Sequence, residues 1–154
     1  MTSFTRNGRV STELAAYLGL FASAFAAATL LPAQSEAVLV LLLLKGDLPV
    51  SALVAIASLG NVLGSIVNWC LGRWIERFRG RPWFPVSERK LERARDWYRR
   101  YGKWSLLGSW FPVVGDPITV LAGILREPLP MFILLVSVAK VSRYVVTAGT
   151  LARI

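Results

Sequence analysis

A chain of 154 residues, 55% of them hydrophobic, is sized for one domain, and its charges are segregated in a way that excludes an ordinary soluble fold. It has no histidine and a single cysteine, Cys70. That excludes imidazole triads, cysteine metal clusters and internal disulfides, so no metal, no cofactor and no catalytic residue is expected.

In chain order, Met1–Thr12 carries Arg6 and Arg9, but the apolar run after it is too long for a secretory signal and shows no cleavage site, so it is read as retained. From Leu14 to Leu44 the only charged side chain is Glu36. The run breaks at Leu30-Leu31-Pro32, because proline removes a helical hydrogen bond. The segment beyond Glu36, Ala37–Leu44, rises only about 12 Å as a helix, too little to cross a bilayer. Residues 14–44 are therefore expected as a re-entrant hairpin. Such irregular backbone needs protein or a water-filled cavity around it.

After the turn Lys45–Pro49, residues 50–71 contain no charge and predict a transmembrane helix. Gly60, Gly64, Asn68 and Gly72 recur at four-residue spacing, a close-packing face on which Asn61 and Asn68 could also line a cavity. Cys70 reads as packing. Residues 73–103 then hold eleven Lys/Arg against four acids, most of the net +9 charge. No nucleic-acid module is recognisable there. Arg73–Lys103 is expected as a cytoplasmic linker on an anionic leaflet, with Trp69, Trp74, Trp83, Trp97 and Trp104 clustered in and around it as interfacial anchors. Ser87 suits an N-cap, Leu91, Ala94, Tyr98 and Tyr101 fall on one helix face, and Gly102 can end the helix. The expectation is a basic amphipathic helix lying on the membrane.

Residues 104–126 repeat the first hairpin. Trp110-Phe111-Pro112 is followed by Asp116, eighty residues after Glu36, and a Leu-Pro turn again precedes a long apolar helix, 130–152. Pro32, Pro112, Gly115 and Pro117 are read as hairpin breaks, although Asp116-Pro117 also suits an N-cap with proline at the first helical position. Ser35 or Glu36 could cap the other half-helix. The last helix carries Lys140 and Arg143, three residues apart on one face. The predicted fold is an all-α integral membrane protein, an inverted repeat of two units joined by the basic linker. Each unit is a re-entrant helical hairpin followed by a transmembrane helix.

Charged groups at bilayer depth are costly, on the order of 2.5–3.5 kcal/mol each on insertion scales, so they ask for a role. Glu36 and Asp116 are candidate proton or cargo sites. Lys140 and Arg143 would pair with them or hold an anionic head group.

The order Pro32-x-x-x-Glu36, Gly60-x-x-x-Gly64, Leu71-Gly72-Arg73, Arg100-Tyr101-Gly102, Pro112, Ala122-Gly123 and Phe132 resembles the DedA superfamily, also called the SNARE-associated or VTT-domain family. Ser109-Trp110-x-Pro112-Val113-Val114-Gly115-Asp116 is similar to its short YqaA-like branch. The resemblance covers nearly the whole chain after Ala15. It implies a multi-pass bacterial inner-membrane protein with opposed re-entrant hairpins that moves phospholipid or polyprenyl-phosphate between leaflets, in some members with the proton gradient. Typical members carry arginines around the second proline, where this chain has Ser109 and Gly115-Asp116. The alternatives are a proton-coupled carrier of a small ion or solute, and a structural or assembly protein. Membrane lipids are the expected partners, and an oligomer is compatible with the composition.

Overall fold

The computed structural model describes residues 3–29, 34–77, 88–110 and 112–151. These form α1 (Ser3–Thr29), α2 (Gln34–Lys45), α3 (Val50–Glu76), α4 (Glu88–Tyr101), a 3₁₀ segment (Gly102–Trp110), α5 (Pro112–Ile124) and α6 (Leu129–Leu151), with no strand among the described residues. Three stretches are long and apolar enough to cross a membrane: Val10–Ala28, Val50–Ile75 and Leu129–Leu151. The 12-residue α2 and 13-residue α5 rise only about 18–20 Å, short of the roughly 30 Å of hydrocarbon.

The exposed side of the long helices is apolar. Leu14 and Leu18 on α1, Leu59, Leu63, Val67 and Leu71 on α3, and Leu134, Val138, Val141 and Val145 on α6 all face outward. Their three- and four-residue spacing makes one stripe per helix, as a lipid-facing surface requires.

The inner side of α3 is built from small residues. A Cβ on Gly60 would stand 2.6 Å from the Phe21 carbonyl oxygen, and one on Gly64 2.6 Å from that of Phe25, so these glycines admit α1. Gly72 lies against the Val120 carbonyl and Gly123 against that of Trp69, which brings α5 onto the far end of α3. Between them Asn68 donates its amide N–H to the Ala28 carbonyl (2.6 Å) and to Thr119 Oγ1 (3.3 Å). One stripe of α3, residues 60, 64, 68 and 72, thus holds α1 with its first half and α5 with its second. In lipid, where apolar burial between helices gains little, close backbone approach and such hydrogen bonds carry the association.

Two apolar clusters result. One joins Leu20, Ala24, Leu39, Leu53, Ala57 and Tyr144; the other joins Leu106, Ile118, Ala122, Phe132, Leu135 and Val136. α6 contributes to both, and Lys140 and Arg143 lie on the stretch between its two contributions.

Several boundaries differ from the sequence expectation. The helix expected at 50–71 continues to Glu76, so Arg73 belongs to α3 and not to the linker. Its guanidinium stacks over Trp69 one turn back, 5.1 Å from the ring centroid, and a cation in the last turn complements the helix dipole. The expected hairpin 104–126 opens with 3₁₀ turns. There Trp104, Leu107 and Trp110 are exposed while Leu106 and Ser109 are buried, the three-residue period of a 3₁₀ helix. α5 begins at Pro112, so Gly115 and Pro117 lie inside a helix, not at a break. Pro117 is tolerated there because it costs only one hydrogen bond close to the helix start. Pro32, Trp83 and Ser87 lie outside the described residues, as do the side chains of Leu91, Ala94 and Trp97. Of the stripe expected on α4, Tyr98 is half-buried and Tyr101 is exposed. Burial, and after it the nearby Glu127 carboxylate, push the Tyr98 phenol well above its ordinary range.

Candidate functional site

Lys140, Arg143 and Tyr144 stand at positions i, i+3 and i+4 of α6 and so share one face. All three are buried, with Lys140 1% exposed and Tyr144 fully enclosed. Each reaches a different part of the chain.

Lys140 Nζ donates to Asp116 Oδ1 on α5 at 3.0 Å. Arg143 Nε stands 3.0 Å from Glu36 Oε1 in the first turn of α2, but its N–H is not directed along that line, so the contact is an ion pair without a hydrogen bond. The carboxylates are the more accessible partners, with side chains 17% exposed for Asp116 and 28% for Glu36. Asp116 also lies within Coulombic reach of Arg143, and Lys140 within reach of Glu36. The four groups therefore form one cluster with two positive and two negative members.

Asp116 is the fifth residue of α5, so it does not cap that helix. Its backbone carbonyl accepts from Thr119 Oγ1 (2.7 Å), and its carboxylate is left for Lys140. Ser35, weighed as a cap, shares a 2.9 Å hydrogen bond with the Tyr144 hydroxyl instead. The same hydroxyl accepts from Asn61 Nδ2 at 2.9 Å, and Ser65 Oγ donates to the Asn61 carbonyl at 2.9 Å. Tyr144 thus links α2, α3 and α6 beside the charges. Tyr144→Phe is expected to lower stability by about 1–3 kcal/mol, because two buried polar groups lose their shared partner; thermal unfolding in detergent reads it.

Of the residues expected to act, Glu36, Asp116, Lys140 and Arg143 come together, and Asn61 joins them through Tyr144. Asn68 meets Thr119, one turn from Asp116. Gly60 and Gly64 pack against α1 and take no part in the cluster. Tyr144 itself was not foreseen. Its signal was available: a tyrosine deep within an apolar helix, away from the interfacial belt where tyrosines gather.

Some unused hydrogen-bonding capacity lies here. Among the described residues, Asn61 Oδ1 and Arg143 Nε are buried without a hydrogen-bond partner, as is Ser58 Oγ. Ser58 also lines an apolar groove of about 920 Å³ between α3 and α6, whose walls include Leu59, Val62, Ser137, Val141 and Val145. With Leu59, Val141 and Val145 exposed, the groove opens on the lipid-facing side.

The VTT domain family model matches residues 31–153. The chain is 41% identical over 140 residues to inner membrane protein YqaA of Escherichia coli (strain K12), covering 90% of this chain and 92% of that one. An uncharacterised protein of Haemophilus influenzae is 41% identical over 133 residues, covering 82% of this chain and 81% of that one. Undecaprenyl phosphate transporter A of Staphylococcus aureus is 29% identical over 100 residues, which is 60% of this chain but 49% of that longer protein. No solved structure matches the chain. A match from residue 31 nearly to the last, on an all-helical chain with three membrane-length helices, makes this protein a member of the VTT-domain (DedA) family, a multi-pass protein of the bacterial inner membrane.

Proposed function

We propose that this protein moves a phosphate-bearing lipid between leaflets, with Lys140 and Arg143 receiving the head group in exchange for their carboxylate partners. The observation that carries this reading is the pair of ion pairs made by two buried cations on one face of a membrane-length helix. When the site is empty, Asp116 and Glu36 neutralise the two cations and make them tolerable at depth. A phosphate monoanion or dianion offers the same charge and more acceptor oxygens, and a guanidinium binds it in a planar fork. Protonation of either carboxylate weakens its hold and releases the cation to the phosphate. Deprotonation reverses the exchange, which couples lipid movement to protons.

In this reading α2 and α5, too short to span, are the return limbs of two re-entrant hairpins related as an inverted repeat. Their shortness thins the hydrophobic barrier, and the apolar groove between α3 and α6 gives the lipid tail a path beside the charges. A groove open to lipid suits a lipid cargo better than a small solute, which needs an enclosed polar chamber. The undecaprenyl phosphate transporters, which share about half their length with this chain, support a polyprenyl-phosphate cargo.

The test is reconstitution. Purified protein in vesicles with head-group-labelled phospholipid or polyprenyl phosphate is challenged with a membrane-impermeant quencher or modifier. Movement beyond the outer-leaflet fraction is expected, and Glu36→Gln is expected to remove it while the protein still assembles. No movement of either lipid class would overturn the reading.

The neutrality of the cluster favours one other reading, in which the charges only hold α2, α5 and α6 together. That reading expects Glu36→Gln to lower stability and leave any transport intact.

A further inference from the structure

α2 and α5 end in the same kind of turn with different residues in it. After α2 the left-handed position is held by Gly46 (φ 69°), whose N–H donates to the Leu43 carbonyl at 3.2 Å. After α5 it is held by Arg126 (φ 61°), whose N–H donates to the Gly123 carbonyl at 3.1 Å while that of Glu127 donates to Ala122 at 3.0 Å. This bond pair closes a helix on a left-handed residue, for which glycine is the default because a Cβ is strained there. An arginine kept in a strained position points to a use for its side chain.

The surroundings supply one. Arg126 lines a concavity of about 380 Å³ together with Arg73 and Arg77, which stand four residues apart at the end of α3. Trp69, Cys70 and Trp74 complete it. Trp69 is pinned from both sides, its Nε1–H donating to the Glu127 carbonyl at 3.2 Å and Arg73 stacked on its ring. The span Val50–Ile75 ends here, so the concavity lies at head-group depth, where tryptophan and arginine belong. Arg73 and Arg77 come to the concavity from the end of α3, and Arg126 comes to it from the turn after α5. Cys70, expected as packing, is exposed beside them.

We infer that Arg73, Arg77 and Arg126 form a binding site for a phosphate group at the membrane surface, most simply the head group of an anionic lipid. The inference deepens the translocation reading on which it rests, because Gly123 packs against Trp69 and α5 then leads in seven residues, about 10 Å, to Asp116. A head group docked here would stand roughly two helical turns from the buried cations.

Cys70 reports on the site directly, being the chain's only thiol. The full-length protein is reconstituted in phosphatidylcholine vesicles alone, with added phosphatidylglycerol, or with inorganic phosphate in the buffer. The reaction rate of Cys70 with an uncharged, water-soluble maleimide is then followed. Phosphatidylglycerol is expected to slow labelling about tenfold, the factor that about 1.4 kcal/mol of head-group binding in the concavity gives. Arg73→Gln with Arg77→Gln is expected to abolish the slowing. Arg126→Gly relieves the left-handed backbone, so it is expected to assemble at least as well as the parent while losing the protection. Slowing by inorganic phosphate as well assigns the site to phosphate as such; slowing by the lipid alone assigns it to a head group. The inference is overturned if neither ligand protects Cys70, or if the arginine variants are protected as strongly as the parent, which would leave only diffuse surface charge. Because labelling reads binding and not flux, loss of transport with protection intact faults the translocation reading and leaves this site standing.

Discussion

Lys140→Met is expected to destabilise the protein by about 3–5 kcal/mol, because it leaves the Asp116 carboxylate without the partner it needs in a largely dry site. Asp116→Leu should cost a similar amount for the converse reason, stranding an ammonium that is 1% exposed. Combining the two changes removes both charges and leaves two apolar groups of similar bulk. The double variant is expected to recover to within about 1 kcal/mol of the parent, since an apolar replacement of a buried pair is commonly neutral or better. Unfolding by denaturing detergent gives the three stabilities, and the same preparations are assayed for lipid movement. A double variant that is stable and silent ties the pair to transport. One that is stable and active makes it a structural device. Two single variants that unfold no more easily than the parent would mean that the site is wetter than its geometry indicates.

The second large effect is steric. Gly72→Ala and Gly123→Ala each place a methyl group against a backbone carbonyl of the facing helix, that of Val120 or of Trp69. Backbone cannot rotate away as a side chain can, so the cost should lie at or above the upper end of the usual overpacking range, about 3 kcal/mol. Separation of α3 from α5 would also disturb the Asn68–Thr119 hydrogen bond and with it the placement of Asp116. Gly19→Ala provides the control. Nothing lies within 4 Å of a Cβ there, so the change is expected to stabilise α1 by up to about 1 kcal/mol through helix propensity alone. Equal behaviour of the three alanine variants would mean that the α3–α5 approach is looser than the structure has it.

These two sets of variants probe different levels of the chain. The class of the protein was legible in the residues alone. Long charge-free stretches and ionisable residues at bilayer depth need nothing beyond counting, because hydrocarbon tolerates few alternatives to an apolar helix. The same counting singles out Glu36, Asp116, Lys140 and Arg143, which stand out against apolar neighbours however the helices are arranged. The four-residue spacing of Gly60, Gly64, Asn68 and Gly72 likewise marks a contact face before any partner is known.

Which groups meet was settled by tertiary packing. Local sequence made Asp116-Pro117 a plausible cap, yet α5 starts at Pro112 and turns that carboxylate toward Lys140. Ser35 looked like a cap for the same reason, but a fully buried Tyr144 hydroxyl 109 residues away offers it a stronger claim. Nor does one helix's spacing reveal that the stripe on α3 changes partner from α1 to α5 at Asn68. One cause is common to all three. Periodicity fixes which side chains share a face, whereas the choice among several possible polar partners depends on which backbones approach closely, and that is a property of the whole assembly of helices.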